Sequence, residues 1–295
     1  MSNNETQGGF NKSVINWYPG HMARTKREIK EILNLVDVVY ELVDARLPSS
    51  SKIKDINEYI KNKPRIMIMT KKDLCDLDVT NKWVKFYENL GYFVILMDLH
   101  NNKDFVKLIS KTKELMEPLQ KSRMAKGLKE KEIKALVVGV PNVGKSTLIN
   151  KFAGKKATAT GNKPGVTKHI TWLKTPHNIL VLDTPGMLWP KIEDNEEALA
   201  LASTAAIKSE ILNITDIGGY LVSFLKNYYP EILEARYKVI ITDPDPVTIM
   251  ECIGKKIGAY SRGEVDFEKV SIRIYNDVIS GTIKGVTFDL WKQDY

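Results

Sequence analysis

The chain has 295 residues, enough for one domain of about 150 to 200 residues and a smaller second one. With 43% hydrophobic and 27% charged residues it can bury a core, which excludes a disordered or collagen-like chain. Its 44 Lys and Arg against 36 Asp and Glu leave a net charge of +8, a balance that suits a polyanionic partner such as RNA or an anionic membrane, and equally a solvated Lys-rich surface.

Residues 1–15 are polar and read as a flexible tail rather than a targeting signal. The peptide NWYPGHM then places a Pro-Gly turn ahead of a helical run over 23–35. An apolar, β-branched stretch at 36–43 reads as a buried strand, 53–61 as a helix, and 65–69 (RIMIM) as a second strand running straight into TKKD. A helix at 81–90 and a strand at 92–97 complete a third cycle, the alternation of a parallel α/β sheet. The Lys-dense stretch 121–134 reads as an exposed connection or helix end between two halves of that sheet. Beyond it come a strand at 135–138, a Gly-containing loop, a helix at 145–152, a Gly/Pro loop, and strands at 169–173 and 179–182. After Trp189 the alternation stops, and 195–211, 219–228 and 247–260 carry helical spacing. This organisation gives an α/β domain over 16–190, a parallel-rich sheet with helices on both faces, followed by a small all-helical domain over 191–295. Cys75 and Cys252 show no metal-ligand or redox spacing, which fits a reducing cytoplasm, and no apolar run reaches the roughly 18 residues of a membrane span.

The strongest chemical signal is GVPNVGKST, Gly139 to Thr147, which satisfies GxxxxGK[ST] between a strand and a helix. Backbone N–H groups of Asn142, Val143, Gly144, Lys145, Ser146 and Thr147 suit phosphates at a helix N-terminus, where the dipole favours anions. Lys145 is the residue for the β/γ-phosphates, and the Ser146 hydroxyl is the Mg²⁺ ligand. DTPG, 183–186, follows an apolar strand, so that Asp183 would reach Mg²⁺ through water and the Gly186 N–H would sense a γ-phosphate. Between these motifs, in NKPGVTK, Thr167 is placed to complete the Mg²⁺ shell as a switch threonine.

TKKD, comprising Thr70, Lys71, Lys72 and Asp73, resembles the guanine-specificity motif NKxD. A carboxylate at Asp73 accepts from guanine N1–H and the 2-amino group, whereas adenine offers an acceptor at N1 and no 2-amino group, leaving a buried charge unpaired. The Lys71 stem would lie along the base. Thr70 replaces Asn with a single hydroxyl, which is expected to weaken the brace between this loop and the phosphate loop.

The guanine motif precedes the phosphate loop, the reverse of the usual order, which a circular permutation explains because each motif still ends a strand on one sheet edge. The peptides WYPGHM, ELVDARLP, GVPNVGKSTLIN, NKPGVTK and LDTPGMLWPK resemble the ribosome biogenesis GTPase A family of circularly permuted bacterial GTPases, over nearly the whole chain from about residue 16 and less strongly after 211. The resemblance implies a cytoplasmic GTP/GDP-binding, GTP-hydrolysing factor, a monomer off the ribosome, that matures a large ribosomal subunit precursor through contacts with rRNA and ribosomal proteins. It implies catalysis without the usual glutamine, since Met187 stands there, and gives a catalytic role to His21 beside Lys145. It associates Asn142 with K⁺, whose charge would serve the transition state. It places a base-contacting backbone loop at Asp98 and Leu99, although MDLHNN is not the small-residue loop usual there. By the same likeness the C-terminal domain contacts RNA, with Lys208, Lys255, Lys256, Arg262 and Arg273 as candidate phosphate ligands. Two other readings stay open: an ATP-using P-loop enzyme, against which Asp73 argues, and an RNA-binding scaffold that holds nucleotide as a largely structural ligand.

Overall fold

The computed structural model describes residues 27, 29–54, 56–60, 63–154, 171–184, 192, 194–207, 211–242 and 245–292. A six-stranded sheet lies at its centre, built from β1 (Val38–Asp44), β2 (Arg65–Thr70), β3 (Phe93–Leu96), β4 (Ile133–Gly139), β5 (Thr171–Lys174) and β6 (Ile179–Asp183) in the order β3-β2-β1-β4-β6-β5. Every neighbouring pair is parallel except β5 with β6. The seam between the two halves of the chain is the β1–β4 ladder, in which Val38 lies opposite Ala135 and Leu42 opposite Gly139. Strands buried on both faces should be apolar throughout, and all seven residues of β1 are buried. Glu41 and Asp44 are the exceptions in composition, and they pair with Arg65 at 3.0 Å and Arg46 at 2.8 Å.

Helices cover both faces, as the sequence pattern requires. One face packs on α3 (Asn102–Ala125) and α4 (Lys145–Ala153), where Tyr40 stacks on Phe152 at 5.8 Å and donates to or accepts from Thr112 at 2.8 Å. The other carries Ile29, Leu33 and the short α1 (Ile56–Ile60), and beside them α2 (Leu77–Asn89), whose Trp83 and Tyr87 sit over Val43, Met67 and Met69. The α2 boundary is set by Asp76, whose carboxylate caps the amides of Asp78 and Val79.

After β6 the chain forms α5 (Asn195–Ser203), α6 (Ile214–Tyr228), α7 (Pro230–Tyr237), α8 (Pro246–Ile257) and α9 (Phe267–Ile279). The all-helical expectation is corrected at one place: β7 (Tyr260–Ser261) and β8 (Glu264–Val265) form a two-stranded hairpin joining α8 to α9. Arg262 (φ 52°) and Gly263 (φ 89°) make its turn, and two successive left-handed residues give the twist a tight hairpin needs. The helix expected at 195–211 ends instead at Ser203. The helices share one hydrophobic core with the α3/α4 face of the sheet. The segment 283–291, which lacks helix or strand, then runs back across the loops that follow β1 and β2. Among the described residues no helix is long and apolar enough to cross a membrane.

Candidate guanine-nucleotide site

The carboxyl ends of β1, β2, β4 and β6 open on one edge of the sheet, where Asp44, Thr70, Gly139 and Asp183 end their strands. The phosphate loop leaves β4 through Gly139, where a Cβ would lie 2.7 Å from the Leu42 carbonyl oxygen, so only glycine fits. It passes through Asn142 (φ 58°) and Gly144 (φ 104°) before entering α4 at Lys145. A Cβ on Gly144 would lie 2.5 Å from Leu99 Cδ1, so the same residue supplies both the left-handed turn and the close approach. Lys145 is buried, and its Nζ donates to the Gly139 and Val140 carbonyls at 3.1 and 2.8 Å. Ser146 and Thr147 follow in the first turn of α4, both half-buried.

The TKKD loop is fastened to the phosphate loop. The Thr70 hydroxyl, fully buried, donates to the Val143 carbonyl at 2.6 Å, so the brace expected to suffer from the loss of asparagine is present as one short bond. Lys71 adopts φ 59° and its ammonium lies 2.9 Å from Asp44 Oδ2, which directs its tip into the β1 terminus. The Asp44 carboxylate also receives Arg46 Nε at 3.0 Å and Nη2 at 2.8 Å. Burial alone would raise the Asp44 carboxyl, but the charges of Arg46 and Lys71 and their hydrogen bonds hold it well below the usual carboxylate range. The Lys72 amide reaches the Met97 carbonyl at 3.4 Å, while Asp73 is exposed.

At the predicted base-contacting loop, the Asp98 amide donates to Asp104 Oδ2 at 2.9 Å and the Asp98 carboxylate accepts from the His100 amide at 2.8 Å. The acidic side chain is thus consumed by its own turn, and its amide is engaged within the loop. Leu99 is buried against Gly144, and its carbonyl accepts from Lys151 Nζ at 2.8 Å. Asn142 donates through Nδ2 to the Ala205 carbonyl at 2.6 Å, tying the phosphate loop to the turn after α5. Thr184, the residue after Asp183, is fully buried and donates to the Val137 carbonyl at 2.6 Å, which anchors the start of DTPG to the neighbouring strand. His21, Thr167, Gly186, Met187 and Lys208 lie outside the described residues, as does the Asp183 side chain. Lys255 and Lys256 are exposed in the last turn of α8, Arg262 is exposed in the hairpin turn, and Arg273 lies 3.4 Å from Asp277. The Asp44–Arg46 pair and the Asn142–Ala205 contact were not found from the sequence, and only the charged DAR at the end of a buried strand pointed toward the first of them.

A family model described as 50S ribosome-binding GTPase matches residues 134–250, the span that begins in β4 and contains the phosphate loop. Over almost the whole length, Ribosome biogenesis GTPase A of Priestia megaterium is 42% identical across 278 residues, covering 94% of this chain and 96% of that protein. The chain belongs to the ribosome biogenesis GTPase A family. The Thermotoga maritima member is 31% identical over 93% of this chain and 94% of its own length. Two solved structures, a GDP-bound YlqF and the GNP-bound YlqF of T. maritima, superpose with TM-scores of 0.64 and 0.62, each at 25% identity over 90% of this chain. The protein is a GTPase with a circularly permuted P-loop fold, and GTPases of this kind generally use Mg²⁺. A hydroxyl at Ser146 on α4 and a carboxylate residue ending the adjacent strand β6 are the donor types that ion takes.

Proposed function

We propose that this GTPase binds a late large ribosomal subunit precursor in its GTP form, promotes its maturation, and leaves after hydrolysis. The observation that carries the nucleotide part is the Thr70–Val143 hydrogen bond of 2.6 Å, which holds the guanine-reading loop and the phosphate loop as one unit. In this reading Lys145 leaves the loop carbonyls for the β/γ-phosphates, the amides of 142–147 surround them, and Asp73 reads guanine, with Thr70, Lys71, Lys72 and Leu99 shaping the base site. Ser146 and Asp183, the latter through water, hold Mg²⁺ together with Thr167. Asn142 serves K⁺ through its amide oxygen, and His21 assists the attacking water.

The names of the relatives support a ribosomal partner, and the exposed Lys255, Lys256 and Arg262 support rRNA contact by 191–295, beside a nucleotide domain over 16–190. We place the protein in the cytoplasm, as a monomer off the ribosome. The test is phosphate release from GTP in K⁺ buffer, with and without purified large subunits, using His21→Ala as the comparison. Stimulation by the particle that disappears in the variant is expected. Rates unchanged by the particle would remove the ribosomal assignment and leave the GTPase intact.

A further inference from the structure

The residues flanking Asp73 are held from outside the nucleotide loops. On the amino side, Lys71 occupies the left-handed region at φ 59°, an uncommon conformation for a residue with a side chain, and its ammonium is pinned 2.9 Å from Asp44. Asp44 is in turn fixed by Arg46, which contributes its backbone amide at 3.0 Å, Nε at 3.0 Å and Nη2 at 2.8 Å. The remaining Arg46 nitrogen, Nη1, donates to the Val278 carbonyl at 3.3 Å, in the last turn of α9, where a cation also meets the negative end of the helix dipole. On the carboxyl side, the Leu74 carbonyl accepts from the amides of Gly285 and Val286 at 2.8 and 3.2 Å. The same returning segment, 283–291, hydrogen-bonds the Arg46 carbonyl through Phe288 N at 2.8 Å and packs Trp291 edge-on against Trp83 at 5.3 Å.

Both ends of the exposed Asp73 turn are therefore set by α9 and the segment that follows it. A carboxylate that must accept two hydrogen bonds from a base edge has to be held within about 0.5 Å, and a surface turn cannot do this alone. We propose that the Asp44–Arg46 pair and the returning segment 283–291 are positioning elements for the guanine-reading loop, so that discrimination by Asp73 depends on docking of the C-terminal helices. This rests on the reading of TKKD as the base site. Linkage makes the effect reciprocal: guanine nucleotide tightens the docking of the helices by the factor through which docking tightens the base.

The test compares GDP, IDP and ADP binding to the full chain in four forms: the unchanged protein, Arg46→Met, Arg46→Lys and Trp291→Ala, with each fold checked by thermal melting. IDP lacks only the 2-amino group, so the GDP:IDP ratio reports one of the two Asp73 bonds, while general loosening weakens both nucleotides alike. In the unchanged protein GDP is expected to lead IDP by about 10-fold or more, the size of one charge-assisted hydrogen bond. Arg46→Met should bring that ratio to within about threefold of unity, Arg46→Lys, which keeps the charge but cannot span both Asp44 and Val278, should fall between, and Trp291→Ala, whose ring packs on Trp83 and Phe86, should lower it by about threefold. A ratio unchanged in folded Arg46→Met and Trp291→Ala overturns the proposal, and if Arg46→Met does not fold, Trp291→Ala decides alone. Equal binding of GDP and ADP by the unchanged protein would instead overturn the guanine reading on which the proposal stands.

Discussion

Lys145 spends its charge on two carbonyls of its own loop, Gly139 and Val140, at 3.1 and 2.8 Å. Those bonds hold the ammonium within the phosphate loop, so Lys145→Ala should cost GTP affinity at least about 2 kcal/mol, roughly 30-fold, in a titration. Asp73→Asn puts an amide donor where the base presents N1–H and an amino group. It should weaken GDP about 100-fold and favour xanthosine diphosphate, whose C2 carbonyl accepts from that amide. Thr70→Val strands the buried Val143 carbonyl and should lower unfolding free energy by about 1–3 kcal/mol, measured by denaturant titration. Asp44 has a pH signature. Its carboxyl is lowered on folding from an unfolded value near 4, so its stabilisation is complete above that pH and is lost as pH falls below it. The stability gap between the unchanged protein and Asp44→Asn should stay constant from pH 8 to 5, and a gap closing within that window would contradict a charged Asp44. At this scale the phosphate loop and TKKD were legible because their chemistry fixes residue types at set spacings. Asp98 was not, because its engagement with Asp104 and His100 depends on a local turn that the sequence does not encode as a pattern.

Among elements, α6 and α9 pack so closely that a Cβ on Gly218 would land on the Ser271 hydroxyl, which is fully buried. Gly218→Ala should therefore destabilise by about 1–3 kcal/mol despite its better helix propensity, as read from the denaturant midpoint, while Gly219→Ala, with open space around it, should not. The six strands of the main sheet were readable in the sequence to within a few residues, since buried strands are apolar runs, whereas the largely exposed two-residue strands β7 and β8 were not. Three helices escaped the reading. In α3 the buried positions Phe105, Leu108, Thr112 and Met116 follow helical spacing, but Thr112 is polar and Pro118 interrupts the run. In α7 the eight residues offer only Leu233 and Tyr237 as buried positions, too few to show a period. In α9 the buried face includes Ser271 and Asp277, with Asp277 paired to Arg236 at 2.8 Å, so polar residues stand where apolar ones would announce a helix. The returning segment 283–291 carries no period at all, because its backbone hydrogen bonds go to loops rather than to a ladder.

The whole molecule joins sheet and C-terminal helices through one hydrophobic core and the bonds of that segment, so heat should unfold both together. GDP at about 100 times its dissociation constant stabilises by about 2.7 kcal/mol and should raise the melting temperature by roughly 4 °C. In calorimetry a single transition that moves as a unit is the expected result, and two transitions of which only one moves would show the parts to be independent. The fold class, and the order of sheet strands followed by helices, were legible from the alternation of strands and helices and its end after Trp189. How the two parts hold each other was not, since long-range bonds leave no local trace. The β1–β4 seam bears on how this protein is born. During synthesis β1, β2 and β3 leave the ribosome as a contiguous half-sheet that binds no phosphate, and the centre of the sheet closes only when β4 arrives. The nascent chain thus carries the TKKD half of its sheet with the β1 edge exposed until β4, the strand that leads into the phosphate loop, docks there.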